Sequence, residues 1–86
     1  MVSDPRNRAA RAFGLALKAA RVDRGMSQED VAGECECDRT YPSMLERGRR
    51  SPTFFVILQL AQALRMHPVA LFTDAVARLR REEERS

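Results

Sequence analysis

Residues that start or stop helices recur at short intervals along this chain and divide it into five segments. Gly25 suits the left-handed position that follows a helix, and Ser27, with an acid three residues later, resembles a capping box that begins the next one. Asp38 and Thr53 are placed to cap two further helices, and Pro68 suits the first position of a fifth. No stretch alternates apolar and polar residues over enough positions to indicate a strand. The sequence therefore predicts a compact all-α fold with five helices.

Apolar residues recur with helical spacing in each segment and predict which faces are buried. The first helix is expected from about Pro5 or Asn7 to Arg24, and a close packing neighbour would explain Gly14, which costs a helix about 1 kcal/mol relative to Ala. The residues expected inside are Phe13, Leu17 and Ala20 of the first helix, Val31, Ala32 and Cys35 of the second, Cys37, Pro42 and Leu45 of the third, Phe54, Ile57, Leu58, Ala61 and Leu64 of the fourth, and Leu71 and Phe72 of the fifth.

The third segment reads DRTYPSMLERG from position 38 to 48 and contains a proline where a helix is expected. With Asp38 as the cap and Gly48 as the stop, Pro42 is the fourth helical residue. Its missing N–H then forfeits only the first intrahelical bond, to the carbonyl of Asp38. A short helix with a polar outer face is the prediction for this segment.

Length and composition suit one soluble domain. The chain has 86 residues, of which 44% are apolar and 31% charged, and these values argue against disorder. The longest apolar run, from Phe54 to Leu58, is far too short to span a membrane, and the first residues show no secretory signal. A cytoplasmic location is the expectation.

The formal charge of +3 favours a polyanionic partner, and basic zones flank an acidic one between residues 27 and 38.

Cys35 and Cys37 are two positions apart, and side chains with this spacing on a helix do not face each other. Together with His67 they lack the fourth ligand of a zinc site. They are expected to be small core residues, with no metal or cofactor. With one histidine and no glycine-rich phosphate loop, an enzyme is not indicated.

Two short helices joined by a tight turn, the second with small and polar side chains outward, are typical of a helix-turn-helix. A helix fits the major groove, which is about 12 Å wide, if its outward residues are neither bulky nor acidic. Double-stranded DNA is therefore the predicted partner.

The residues resemble the Cro/CI-like helix-turn-helix regulators, also called the xenobiotic-response-element family, from about Phe13 to Phe72. The resemblance is carried by RGMSQE at 24–29, VA at 31–32, DRTY at 38–41, LERG at 45–48, SPT at 51–53 and LAQAL at 60–64. It implies a lambda-repressor-like DNA-binding domain over residues 13–72, with the helix-turn-helix at about 28–47. Residues 1–12 would be a basic arm or a helix extension, and residues 73–86 a charged tail that is partly helical and frays after about Arg81.

The family pattern also implies roles for single residues. It places Gln28 on a DNA phosphate, at the start of the second helix, and turns the outer face of the third helix, including Asp38, toward the groove. The expected base contacts are Arg39, Thr40, Ser43 and Met44, with Arg39 suited to a guanine and Met44 to a thymine methyl group. The expected phosphate contacts besides Gln28 are Arg47, Arg49 and Arg50, which cluster just after the helix.

Two further expectations concern the salt bridge and the turn that hold the third helix in place. In the family, the residue that matches Glu46 pairs with an arginine at the position of Arg21, so the resemblance implies a salt bridge between the first and third helices. The turn position that is commonly Gly is Glu36 here; a positive φ at Glu36 would carry strain, and the alternative is a turn that is longer or differently shaped.

The predicted function is sequence-specific transcriptional regulation by a homodimer on a two-fold operator, because one such helix reads too few base pairs to be selective. Phe55, Val76 and Leu79 are the expected dimer contacts. The arginines at 6, 8 and 11 fit either phosphate contacts, a minor-groove arm or a mobile basic terminus. The alternative function is an antitoxin or accessory subunit that uses the same fold to hold a protein partner.

Overall fold

The computed structural model describes residues 4–85, which form five α-helices. They are α1 (Pro5–Asp23), α2 (Gln28–Cys35), α3 (Thr40–Glu46), α4 (Phe54–Ala63) and α5 (Pro68–Arg85). The predicted all-α fold is confirmed. The two long helices, α1 and α5, pack along each other, α3 packs against α1 and α2, and α4 packs against α2 and α5. None of these helices alone has the length and apolar content of a membrane span.

Most helix ends lie where the sequence predicts them. The Ser27 hydroxyl accepts a hydrogen bond from the Asp30 amide at 3.0 Å, and the Ser27 amide donates to the Asp30 carboxylate at 2.8 Å, which lowers the pKa of Asp30. The Thr53 hydroxyl accepts from the Val56 amide at the start of α4. Gly25 has a φ of 66° after α1. The capping box and the Thr53 cap are confirmed, because they satisfy amides that the helices leave unpaired, and Gly25 takes the left-handed position predicted after α1.

The core is built from one face of each helix. Its fully buried members include Leu17, Val31, Leu45, Leu60 and Leu71. These residues come from five different helices, so the core forms only when all five are assembled.

Three predicted core residues are exposed instead: Phe54, Leu58 and Phe72, with 76%, 38% and 56% of their surface accessible. The apolar stripe of α4 is wider than the surface that α2 and α5 cover. Leu60 and Ala63, which the helical spacing did not single out as inner residues, take the buried positions.

The C-terminal helix continues to Arg85, so the expected fraying after Arg81 is wrong. The contacts of α5 with α1 explain the difference. Ala75 is buried, and farther along the helix Arg11 of α1 pairs with Glu82 at 3.0 Å. Tertiary packing here outweighs the unfavourable position of the glutamates at 82–84, which lie at the negative end of the helix dipole.

Candidate DNA-binding site

The turn between α2 and α3 is built on Glu36, which has a φ of 56° and a ψ of 38°. Of the two alternatives for this turn, Glu36 takes the positive φ. The amide of Cys37 donates to the Ala32 carbonyl at 3.1 Å and that of Glu36 to Gly33 at 3.3 Å, a closing pattern typical of a left-handed helix cap. These bonds hold the turn in spite of the strain that a side chain adds at positive φ.

The third helix begins at Thr40, one residue later than an N-cap at Asp38 would place it. One carboxylate oxygen of Asp38 accepts from the Thr40 amide at 2.9 Å and from the Thr40 hydroxyl at 2.7 Å, and these bonds lower the pKa of Asp38. Asp38 therefore caps the turn that leads into α3, and Arg39 occupies the N-cap position. The Thr40 hydroxyl is already engaged with Asp38 before any base is present.

The later start changes the account of Pro42, which is the third helical residue and not the fourth. The N–H at this position has no intrahelical acceptor in any helix. A proline here therefore costs no hydrogen bond, and its ring is buried against the core. Tyr41 is helical in spite of the restriction that the following proline puts on it, and its amide donates to the Asp38 carbonyl at 2.9 Å.

The outward side of α3 carries the predicted base-contact residues. Arg39 and Thr40 are exposed, and Ser43 and Met44 are half-buried. The guanidinium of Arg39 lies 3.2 Å from the carboxylate of Glu29 on α2, a contact that the sequence did not indicate. Both side chains are exposed, so this ion pair is worth about 1 kcal/mol or less and can exchange for a DNA contact.

A bidentate ion pair joins α3 to α1. The guanidinium of Arg21 contacts the two carboxylate oxygens of Glu46 at 2.6 and 3.0 Å, and only 13% and 4% of the two side chains are accessible. The hydrogen bond to Glu46 raises the pKa of Arg21. Arg21 also donates to the Met26 carbonyl at 2.8 Å, so the pair fixes the loop before α2 as well. The salt bridge that the resemblance implies is present.

Gln28 takes part in the same network. Its amide nitrogen donates to Glu46 at 3.1 Å, so the residue expected on a phosphate is half-buried and tied to α3. One carboxylate thus connects α1, α2 and α3. The sequence assigned Gln28 only a phosphate contact, because nothing in it indicates that Gln28 and Arg21 share the Glu46 carboxylate as an acceptor.

Gly14 marks the closest approach of α1 to α3. A Cβ atom built on Gly14 would lie 2.7 Å from the carbonyl oxygen of Glu46 and closer still to that of Leu45. The close neighbour expected from the sequence is therefore confirmed. This neighbour is the backbone at the end of α3. Because Gly14 has no side chain, that backbone packs directly on α1.

The arginines after α3 remain available to a ligand. Arg47, Arg49 and Arg50 are exposed, and between residues 4 and 85 no carboxylate lies within ion-pair distance of them. In the proposed N-terminal arm, residues 1–3 lie outside the described part, while the rest from Pro5 onward belongs to α1. Arg6 there pairs with Asp4 at 3.0 Å.

Cys35 and Cys37 carry free thiols; Cys35 belongs to the core and Cys37 packs against it. Cys35 is buried with its sulfur 3.7 Å from the Gln59 carbonyl, and burial raises the pKa of its thiol to about 11. No group of three His, Cys, Asp or Glu side chains in the described chain is arranged to hold a metal ion. Both cysteines border the core, as the sequence predicts.

The expected dimer residues lie near an apolar surface that the sequence largely placed in the core. Val76 and Leu79 line a shallow depression with Phe72, and Phe72 also lines a second one with Phe54, Ile57, Leu58, Pro68 and Val69. Phe55 is exposed but borders neither depression. We call this α4–α5 region, defined by Phe54, Leu58, Val69 and Phe72, the apolar patch.

Known proteins resemble this chain over most of its length. A family model described as a helix-turn-helix domain matches residues 12–72. The uncharacterized HTH-type transcriptional regulator y4dJ of Sinorhizobium fredii is 43% identical over 53 residues, which cover 62% of this chain and 69% of that protein.

Two solved structures extend the comparison. The restriction-modification controller protein C.AhdI from Aeromonas hydrophila is 39% identical, with a TM-score of 0.70 over 72% of this chain and 94% of that one. The controller protein C.Esp1396I, solved as a tetramer in complex with its natural 35-base-pair operator, is 28% identical, with a TM-score of 0.75 over 83% and 93%.

Proposed function

The chain belongs to the Cro/CI-like helix-turn-helix family of DNA-binding transcriptional regulators, and we propose that it binds a specific operator as a homodimer, with α3 in the major groove. The observation that carries this proposal is the division of α3 into two sides. Pro42, Leu45 and Glu46 are buried, while Arg39 and Thr40 face outward. A helix held so firmly on one side can present the other to base edges in a fixed orientation.

Base reading is assigned to the outer side of α3. Arg39 can donate two parallel hydrogen bonds to a guanine, Thr40 and Ser43 can contact a base or a phosphate, and Met44 can touch a thymine methyl group. Arg39 stands at the start of the helix, where recognition helices insert deepest. Its exposed pairing with Glu29 holds it near the groove-facing side at little cost.

Phosphate binding is assigned to the residues at the edges of the motif. Gln28 begins α2, where backbone amides and the helix dipole favour an anion. Arg47, Arg49 and Arg50 follow α3 without acidic partners among the described residues. Such contacts set the position of α3 on the duplex and make affinity depend on salt.

Dimerisation is assigned to the apolar patch. Its exposed aromatic and aliphatic side chains would leave water when two copies meet, and burial of this kind drives association. The tetrameric assembly of C.Esp1396I on its operator supports an oligomer for a chain of the same family. A DNA-binding regulator acts in the compartment that holds the DNA, and a cytoplasmic location is part of the proposal.

Selection from random duplexes tests the proposal directly. The protein should enrich a motif with two related half-sites whose centres are about 10 base pairs apart, one turn of the double helix. Failure to enrich any motif, at salt concentrations where the protein still binds bulk DNA, would leave only the accessory-subunit function.

On the enriched sequence, Arg39→Ala should weaken binding about 10- to 100-fold while binding to random DNA changes little, because a bidentate base contact is worth about 1–3 kcal/mol. Arg50→Ala is the matched control, since it also removes one guanidinium from the same surface. It should weaken both DNAs alike and lower the salt slope by about 0.9. Equal losses on both DNAs for Arg39→Ala would show that Arg39 contacts phosphate and not a base.

Val69→Glu should raise the dimer dissociation constant about 100-fold, as measured by analytical ultracentrifugation, because an unpaired charge would be buried in the interface of each copy. Val22→Glu is the control, since Val22 on α1 is equally exposed, 59% against 61%, and lies outside the apolar patch. Phe55→Glu decides whether Phe55 belongs to the interface. A Val69→Glu protein that dimerises like the Val22→Glu protein would rule out the apolar patch.

A further inference from the structure

A groove rich in arginine lies where the C-terminal half of α5 crosses α1 beside the end of α3. It has a volume of about 620 Å³. Its arginines are Arg11 of α1, Arg47 directly after α3, and Arg78, Arg81 and Arg85 of α5. The three α5 residues lie outside the helix-turn-helix, and none of them has a role in the function proposed above. We call this feature the arginine groove.

Two contacts tie the arginine groove to the DNA-reading helix. Gly48, which ends α3, packs on α1 so closely that a Cβ atom there would lie 3.0 Å from the Arg11 Cα. Arg11 in turn pairs with Glu82 of α5 at 3.0 Å. The end of α5 is therefore fixed beside the end of α3, and Arg47 belongs to both the outer surface after α3 and the groove.

The arginine groove is lined by more arginines than glutamates. Its two glutamates have internal partners, because Glu46 is held by Arg21 and Glu82 by Arg11. Arg78 pairs with Asp74 at 2.9 Å. For Arg47, Arg81 and Arg85, no carboxylate within residues 4–85 is close enough to form an ion pair. These three guanidinium groups give the groove a surplus of positive charge.

We propose that the arginine groove binds the phosphate backbone of the DNA on which α3 lies, with Arg81 and Arg85 contacting phosphate oxygens. Guanidinium groups match the geometry of phosphate oxygens and bind them through paired N–H donors. Glu82 is a positioning residue, since its bond to Arg11 holds the end of α5 against α1. This inference rests on the proposed function and extends the DNA contact surface from the helix-turn-helix to the C-terminal helix.

The test measures DNA affinity against salt concentration for the wild type and for Arg81→Gln/Arg85→Gln, on a selected duplex. Each phosphate contact contributes about 0.9 to the salt slope, so the double variant should lose about 1.8 of it and bind about 60-fold more weakly at about 0.1 M salt, relative to about 1 M. Arg81→Gln alone should lose about 0.9. Arg80→Gln is its matched control, because Arg80 is an exposed neighbour on α5 that does not line the groove.

Ethylation interference supplies an independent readout that a merely structural change would not produce. The wild type should depend on one or two phosphates whose ethylation no longer matters to the double variant, while the remaining pattern is shared. Circular dichroism should show the same helix content in all proteins.

The outcomes separate this inference from the proposed function. If wild type and double variant bind with the same slope and the same ethylation pattern, the arginine groove does not contact DNA, and the helix-turn-helix function stands. The same conclusion follows if Arg81→Gln and Arg80→Gln lose equal slope. If the wild type itself binds no duplex, the proposed function and this inference both fail.

Discussion

Replacing Glu46 by glutamine should lower the free energy of unfolding by about 3–5 kcal/mol, because it leaves the largely buried charge of Arg21 without its partner. A chain of this length is expected to have a total stability of roughly 4–13 kcal/mol, so the loss is a large share of it. The same carboxylate accepts from Gln28, and α1, α2 and α3 would all lose their common anchor. Urea unfolding followed by circular dichroism, at one fixed protein concentration, measures the effect.

A second variant distinguishes the cost of an unpaired charge from the worth of the pair. Arg21→Met/Glu46→Leu removes both charges and keeps similar volumes, and replacing a buried ion pair by apolar residues is often neutral or stabilising. The double variant should therefore regain more than half of the stability that Glu46→Gln loses. If both proteins are equally unstable, the unpaired charge costs no more than the bond to the Met26 carbonyl, which only the double variant loses and which is worth about 1 kcal/mol, and the charge explanation is wrong.

Replacing Gly14 by alanine should destabilise the protein by about 2 kcal/mol, although helix propensity alone predicts the opposite sign. Alanine is about 1 kcal/mol more favourable than glycine inside a helix. The added Cβ, however, would lie 2.7 Å from one backbone carbonyl oxygen of α3 and closer to another, and backbone atoms cannot rotate away as a side chain can. Overpacking of this kind costs about 3 kcal/mol at the upper end of its usual range, which outweighs the propensity.

Gly33→Ala is the matched control for this change. Gly33 also lies inside a helix, but a Cβ on it would have no neighbour within 4 Å. This substitution should stabilise the protein by about 1 kcal/mol, as propensity predicts. Thermal unfolding of both variants measures the difference, and an equal shift for the two glycines would show that α1 and α3 are not held in contact at Gly14. Because the added Cβ would push α3 away from its position on α1, Gly14→Ala should also weaken binding to selected DNA.

Short-range signals in the sequence were sufficient to predict the helix ends. Ser27 with Asp30, Thr53 and Gly25 satisfy or permit unpaired backbone groups within a few residues, so their effect does not depend on distant parts of the molecule. The strain that a positive φ brings at Glu36 was recognisable from its place in the turn, but the sequence left open whether the turn keeps that φ or changes its shape. The exposed residues of α3 were predictable as one face of a helix.

Errors arose wherever distant segments compete for the same surface. Helical spacing placed Phe54, Leu58 and Phe72 inside, but a spacing pattern does not say how many neighbours cover a helix, and α4 has too few. A separate, local difference concerns α3, whose N-cap is Arg39 and not Asp38, although the Asp38 carboxylate still accepts from the Thr40 amide.

By itself the sequence determined the five-helix division, the capped ends, and the polar side of α3 between Asp38 and Gly48, because these depend on interactions within one or two helical turns. The resemblance implied the pair of Arg21 and Glu46, but only the tertiary structure decided what else holds α3 and what surrounds it. The joining of Gln28, Arg21 and Glu46 at one carboxylate, the apolar patch and the arginine groove all bring together residues that are remote in the chain. Such sites exist only once the packing of α1 against α3 and α5 fixes the distances between them.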